Sequence, residues 1–371
     1  MSKTHTAIAT LSPGHFDAIQ VPTRTPGPEE VLIKVEYASM IAFDTYINDL
    51  GYNIVPVYPM IFGFNGAGTV VEVGSEVGDL KVGDRVAAFT LGSSERKAMQ
   101  EYTVQPRYTC TKIPDTLPLS AAATIPDNFA TAYNVLFNPI YLGLPTPSSL
   151  PASTPPSLAD KPIFIYGAGS TTGQYTIQLL HASGYTNVLV TASPTHHPFL
   201  RSIGATHTFD YRSPNLAKEI AEVLSSPTNP DGKVDLALDC VSALGTIARV
   251  AKVVSSEGKV ALLMPIKDGD SVREDTLLKE LPEDRNPLPK GTQHVYVRTF
   301  LYEQNEYLRE NLMPKILPPL LEAGIIQPNK VRLLDELVGM LKERVAAGLD
   351  LLRNNLVSGE KVIVKIGGGA N

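Results

Sequence analysis

Two rhythms of apolar and polar residues divide the chain. Up to about residue 125, short β-branched runs such as Val31 to Val35 and Gly68 to Val73 stand between Gly, Pro and Asp, as the strands of an antiparallel meander do. From Ile163 onward, apolar runs alternate with stretches of helical period, the pattern of a parallel sheet covered on both faces. The predicted strands of this second part are Ile163 to Tyr166, Asn187 to Thr191, Thr206 to Asp210, Val234 to Asp239 and Lys259 to Leu263, with a further one at Val295 to Phe300. Helices are predicted near Gly173 to Ser183, Leu216 to Leu224 and Ala243 to Val254. The proline-rich stretch from Asn138 to Pro162 cannot hold regular structure and reads as a surface excursion. The chain ends on a predicted helix, Glu336 to Arg353, and a strand, Lys361 to Ile366, expected to return to the first, β-rich part.

Length supports the division, since 371 residues exceed the usual single domain of about 100 to 200. A hydrophobic fraction of 43% with 19% charged residues excludes wholesale disorder. The net charge of -6, with no basic run, gives no footprint for nucleic acid or an anionic membrane surface. No run approaches the ~18 apolar residues of a membrane span, and Met1 to Gln20 lacks a signal pattern, so a cytoplasmic protein is expected. Cys110 and Cys240 are the only cysteines, too few for a disulfide framework or a cysteine-rich zinc site, and both are expected as buried thiols.

Candidate chemistry begins after the strand Ile163 to Tyr166. A strand that opens through a glycine turn into a helix presents unpaired amides and a positive helix end to a pyrophosphate. The turn here is Gly167, Ala168, Gly169, Ser170, Thr171, Thr172, Gly173, whose last glycine falls one residue later than in the usual spacing. NAD-selective sites place an acid about 20 residues on, to accept bonds from the ribose hydroxyls. Between Asp160 and Asp210 this chain has none, and the second strand runs instead into Ser193, His196 and His197. Hydroxyl and imidazole donors suit a 2′-phosphate, so NADPH is the expected cofactor, with Ser193 and His197 on the phosphate. The alternative for the histidines is that they decorate a solvated helix start.

Longer segments carry a resemblance that covers nearly the whole chain. GFNGAGTVVEVGSEV (Gly63 to Val77), VGDRV (Val82 to Val86), the stretch Gln100 to Pro126, TAYNVLF (Thr131 to Phe137) and GLDLLRNNLVSGEKVIVKI (Gly348 to Ile366) resemble the medium-chain dehydrogenase/reductase superfamily. Within it the chain is similar to the zinc-free fungal enoyl-reductase and quinone-oxidoreductase-like branch, which includes stand-alone enoyl reductases serving polyketide synthases. The resemblance implies an α/β fold. A GroES-like β-rich catalytic domain (residues 1–126) would be followed by a Rossmann doubly wound NADPH-binding domain (127–300) and a segment returning to the catalytic domain (301–371). It also implies that Thr131 approaches the nicotinamide, that Tyr211 and Arg212 lie near the adenosine end, and that Lys361 reaches the cofactor.

Zinc-dependent members carry Cys, His and Glu ligands at positions that fall here on Ile41, Phe64 and Asn65. No metal is therefore expected, and Lewis-acid alcohol oxidation gives way to hydride delivery onto a carbon conjugated to a carbonyl, followed by protonation. Tyrosine is the obvious acid. By the resemblance, the catalytic tyrosine of mitochondrial enoyl thioester reductases falls on Tyr52, and a cleft lysine of the polyketide-serving enzymes falls on Tyr46. Tyr52 is thus the expected proton donor and Tyr46 a cleft residue, the alternative being that these aromatics fill a loop beside the core. The expected substrate is a small conjugated carbonyl or a carrier-bound enoyl group, with a polyketide synthase as partner. Quinone reduction is the runner-up, and an NADPH-binding accessory subunit of a biosynthetic assembly the third reading.

Overall fold

The structure is a computed structural model and describes residues 4–52, 57–272 and 276–367. It separates into two compact units, Met1–Ala130 with Phe300–Asn371, and Thr131–Thr299.

The second unit holds a six-stranded parallel sheet in the order His207–Asp210, Val188–Ala192, Ile163–Tyr166, Val234–Asp239, Val254–Leu263, Gln293–Val297. Its central strands are buried on both faces, which is why Ile163–Tyr166 and Val188–Ala192 read as unbroken apolar runs and not as alternating ones. The order reverses direction between Ile163–Tyr166 and Val234–Asp239, the switch point at which open α/β sheets bind ligands at their carboxyl ends. The helices are Thr171–Ala182, His197–Ser202, Leu216–Leu224 and Leu244–Val250. No helix or strand lies between Phe137 and Ile163.

The first unit is mostly β. A sheet runs Lys330–Leu334, Glu360–Lys365, Glu30–Met40, Asn65–Val73, Arg85–Phe89, Cys110–Lys112, with Tyr102–Pro106 pairing to Glu30–Met40. The late strand Glu360–Lys365 thus hydrogen-bonds directly to the early strand Glu30–Met40, Val362 opposite Met40. The helix Leu341–Arg353 contributes Val345 and Leu349 to the same core as Ile8, Met40, Phe62 and Val364. It starts five residues later than expected, at Leu341 rather than Glu336. Ahead of Asn65, where the sequence reading assigned no element, Ala42–Leu50 is a helix, stopped by Gly51 in the left-handed region (φ 63°). Cys110 is buried, as expected, and Cys240 is half-buried as a residue while burial pushes its thiol up to about 12.

Candidate functional site

The glycine turn shows why its spacing departs from the usual one. Gly167 takes φ +73°, and a Cβ there would sit 2.8 Å from a Val241 methyl. At Gly173 a Cβ would lie 2.5 Å from Ala168 Cα, so the bare glycine is what lets the helix pack onto the turn. Gly169 differs. A Cβ there would meet only ordinary contacts, 3.5 Å to the His196 ring and 3.7 Å to Ala192, leaving a cradle above the turn. Ser170 caps the helix Thr171–Ala182, its hydroxyl accepting the Gly173 amide at 3.1 Å. The Gly169 and Thr171 amides donate to no described residue. Two uncommitted amides at the positive end of a twelve-residue helix fit a pyrophosphate.

Ser193 directly follows the strand Val188–Ala192 and precedes a short turn of helix, where its carbonyl accepts the His196 amide at 2.9 Å. His197 is already engaged, its Nε2 lying 3.1 Å from the Ala192 carbonyl. The His196 ring borders Gly169, 3.5 Å from where a Cβ would stand. In register with Ala192 on the neighbouring strand is Asp210, an acid that counting along the chain placed out of range. The Arg212 guanidinium grips it with two bonds of 2.9 Å, holding the carboxyl below its ordinary range. Tyr211 stacks under the Arg212 guanidinium, and its carbonyl accepts from Arg249 at 3.3 Å. Thr131 shares a 2.8 Å hydroxyl contact with Thr299.

In the first unit the segments around Ile41 and Phe64 are tied together by Asp44. This buried carboxylate accepts the Ile41 amide at 2.8 Å and the Gly63 amide at 3.1 Å, and burial pushes it up to about 6. Phe43 then gathers the aromatics, its ring 6.2 Å from Tyr46, 5.6 Å from Tyr52 and 5.5 Å from Phe64, all edge-on. Tyr46 is buried, and burial raises its phenol to about 12, which weakens it as an acid. Tyr52 is half-buried, its amide donating to the Tyr46 carbonyl at 3.0 Å. On the face of Phe64 lies a group that sequence reasoning passed over. The Lys97 ammonium sits 3.6 Å from the ring centroid.

Lys361 goes to a second buried cluster. Its ammonium donates to Asp127 and, at 2.8 Å, to Asn128, while Asn65 donates to the same Asp127 oxygen at 2.7 Å and to Ser39 at 3.0 Å. Nothing in the sequence marks this pair, because 234 positions separate its members. Among the described residues no group of three or more His, Cys, Asp or Glu could hold a metal ion. None of their helices is long and apolar enough to cross a membrane.

Residues 27–115 match the alcohol dehydrogenase GroES-like domain family, and residues 171–280 the zinc-binding dehydrogenase family. The trans-enoyl reductase himH of Aspergillus japonicus is 32% identical over 342 residues, which span 91% of this chain and 90% of that one. The chain belongs to the medium-chain dehydrogenase/reductase superfamily. Within that superfamily it groups with the fungal trans-enoyl reductases. The enoyl reductase component lovC of lovastatin nonaketide synthase, from Aspergillus terreus, is 29% identical over 374 residues, 96% of either chain. Among solved structures, the CurK enoyl reductase superposes with a TM-score of 0.74 at 19% identity, covering 98% of this chain and 99% of that one, a likeness of fold. Membership of this dehydrogenase/reductase superfamily brings with it a nicotinamide dinucleotide, NAD or NADP, as cofactor.

Proposed function

We propose that this chain uses NADPH to reduce the activated carbon-carbon double bond of an enoyl thioester or α,β-unsaturated carbonyl, without zinc. The observation that carries this reading is the similarity over nine-tenths of both chains to a protein named a trans-enoyl reductase. NADPH, when bound, supplies the hydride. The amides of Gly169 and Thr171 and the capped helix end would hold its pyrophosphate, with Gly167 and Gly173 shaping the turn around Ser170, Thr171 and Thr172. Ser193, His196 and His197 follow the second strand directly, and Arg212 is held by Asp210, which is in register with that strand's last residue. A 2′-phosphate there would compete with Asp210 for the Arg212 guanidinium, an exchange open to NADPH and not to NADH. Tyr211 would line the adenosine end and Thr131 the nicotinamide.

Tyr52 is the proposed proton donor. It is half-buried and packs against Phe43, whose ring also meets Phe64, a position where the zinc-dependent relatives carry a ligand. Tyr46, with its phenol pushed up, lines the same aromatic group and is not the acid. Lys361 and Asp127 brace the helix that carries Thr131, since Asp127 and Thr131 share Pro126–Phe137. The proposed partner is a polyketide synthase presenting the enoyl group on its carrier.

The test compares NADPH consumption by the purified chain with a simple enone, a quinone and a carrier-bound enoyl substrate. Turnover of the enone or the enoyl group, with the saturated carbonyl as product, is the expected result. Turnover of the quinone alone overturns the double-bond reading. Tight NADPH binding with no turnover of any acceptor would instead make the chain an accessory subunit.

A further inference from the structure

Lys97 is a buried lysine whose ammonium has no hydrogen-bond acceptor among the described residues. Only 3% of the residue is exposed. Its ammonium forms no hydrogen bond and no ion pair of 4.0 Å or less with a described residue; Asp44 is the one carboxylate whose charge reaches it, and that carboxylate is spent on two backbone amides. It lies over the face of Phe64, 3.6 Å from the ring centroid. Buried ammonium groups are normally paired and hydrogen-bonded, because a ring face replaces only part of the lost hydration. The contrast within this unit is direct, since Lys361, equally buried, has both Asp127 and Asn128. An ammonium with three donors and no acceptor is built for an oxygen that arrives from outside.

Its location says which oxygen. Phe64 stands where zinc-dependent members of the superfamily carry a metal ligand, and Ile41, another such position, is fastened to the same segment through Asp44. We propose that Lys97 is a catalytic residue that takes over the electrophilic task of the missing metal, its ammonium binding the carbonyl oxygen of the enoyl substrate and stabilising the enolate. The assignment rests on the double-bond reading above. When a hydride reaches the β-carbon, the C=C electron pair shifts to join the α-carbon to the carbonyl carbon, and the C=O pair moves onto oxygen. That oxygen then bears a full negative charge. Lys97 donates a hydrogen bond to it, and no bond to nitrogen is made or broken. The enolate collapses by taking one proton at the α-carbon, from Tyr52, which touches the other edge of this aromatic group. Burial moves the ammonium down to about 8, while the Asp44 charge pushes it back up.

The experiment compares wild type with Lys97→Met and Lys97→Arg. It reads kcat and KM with a short enoyl pantetheine, the Kd for the corresponding saturated thioester, and thermal stability. A donor that acts mainly on the developing oxyanion is worth about 10²- to 10³-fold in kcat, so Lys97→Met is expected to lose that much. The saturated thioester should bind within about threefold of wild type, and Lys97→Arg should recover at least about tenfold of the lost kcat. Lys97 shares no hydrogen bond or close ion pair with Asp44 and only their longer-range attraction is lost, so Lys97→Met should fold and melt close to wild type. A Lys97→Met chain with kcat within about threefold of wild type overturns the assignment, as does one that melts well below wild type or does not fold, which would make the lysine structural. If wild type itself reduces neither enoyl thioester nor enone, the double-bond reading falls and takes this assignment with it. If both wild type and Lys97→Met turn over alike, the assignment falls alone.

Discussion

Lys361→Met tests whether this lysine serves the cofactor, as the family resemblance suggests, or the core of the first unit, where the structure places it. The side chains of Lys361 and Asp127 are 2% and 6% exposed, and their contact is reinforced by Asn128 and Asn65. Desolvation pulls the Lys361 ammonium below its ordinary value, against the attraction of Asp127. Removing one partner of such a pair strands the other as a buried charge, at a cost of about 3–5 kcal/mol. For a unit of this size each kcal/mol corresponds to about 2–4 °C, so the single variant should melt some 6–20 °C below wild type. Adding Asp127→Asn removes the stranded charge and should restore at least about 1.5 kcal/mol, a coupling expected of residues in direct contact. Thermal and urea unfolding of the four chains of this cycle, with dinucleotide affinity measured on each folded one, decide the matter. If Lys361→Met costs less than about 1 kcal/mol, or costs the same in the Asp127→Asn background as beside the native acid, the buried-pair account is wrong. Retained stability with lost dinucleotide affinity would return the lysine to the cofactor.

Three further outcomes are expected. Gly173→Ala forces a Cβ to 2.5 Å from Ala168 Cα; overpacking of about 1–3 kcal/mol, offset by about 1 kcal/mol of helix propensity, should lower the melting temperature by a few degrees. Lifting the helix end from its turn should also weaken dinucleotide binding about fivefold, and unchanged calorimetric affinity would refute the packing role. Tyr52→Phe keeps the ring against Phe43 and removes the proton, so turnover of an enoyl thioester should fall about 10²-fold with folding intact; wild-type turnover would end the donor role. Asp44 is raised from 3.8 to about 6, so between these values the folded chain holds a proton that the unfolded chain has released. Its contribution is therefore complete at the acid end and lost as pH rises through 6, and Asp44→Asn should flatten that slope in urea unfolding at pH 4 to 7; parallel slopes would contradict it.

What the sequence determined by itself was whatever depends on neighbours along the chain. Apolar runs of strand length between helical periods located the parallel sheet, with Ile163–Tyr166, Val234–Asp239 and Leu216–Leu224 read to the residue. The glycine turn was equally legible, since the helix cap from Ser170 and the close approach of Gly173 to Ala168 fall within seven consecutive residues. The helix Ala42–Leu50 was not, because its stop at Gly51 and its cap from Asp44 are ordinary local choices without a long apolar stripe. Only the tertiary structure decided which charges meet. Asp210 reaches the end of the second strand by sheet register, Lys361 finds Asp127 across the first unit, and Lys97 lies over Phe64 with no acceptor among the described residues. Burial makes these encounters chemically consequential, and burial is a property of the folded surface that no window of sequence carries.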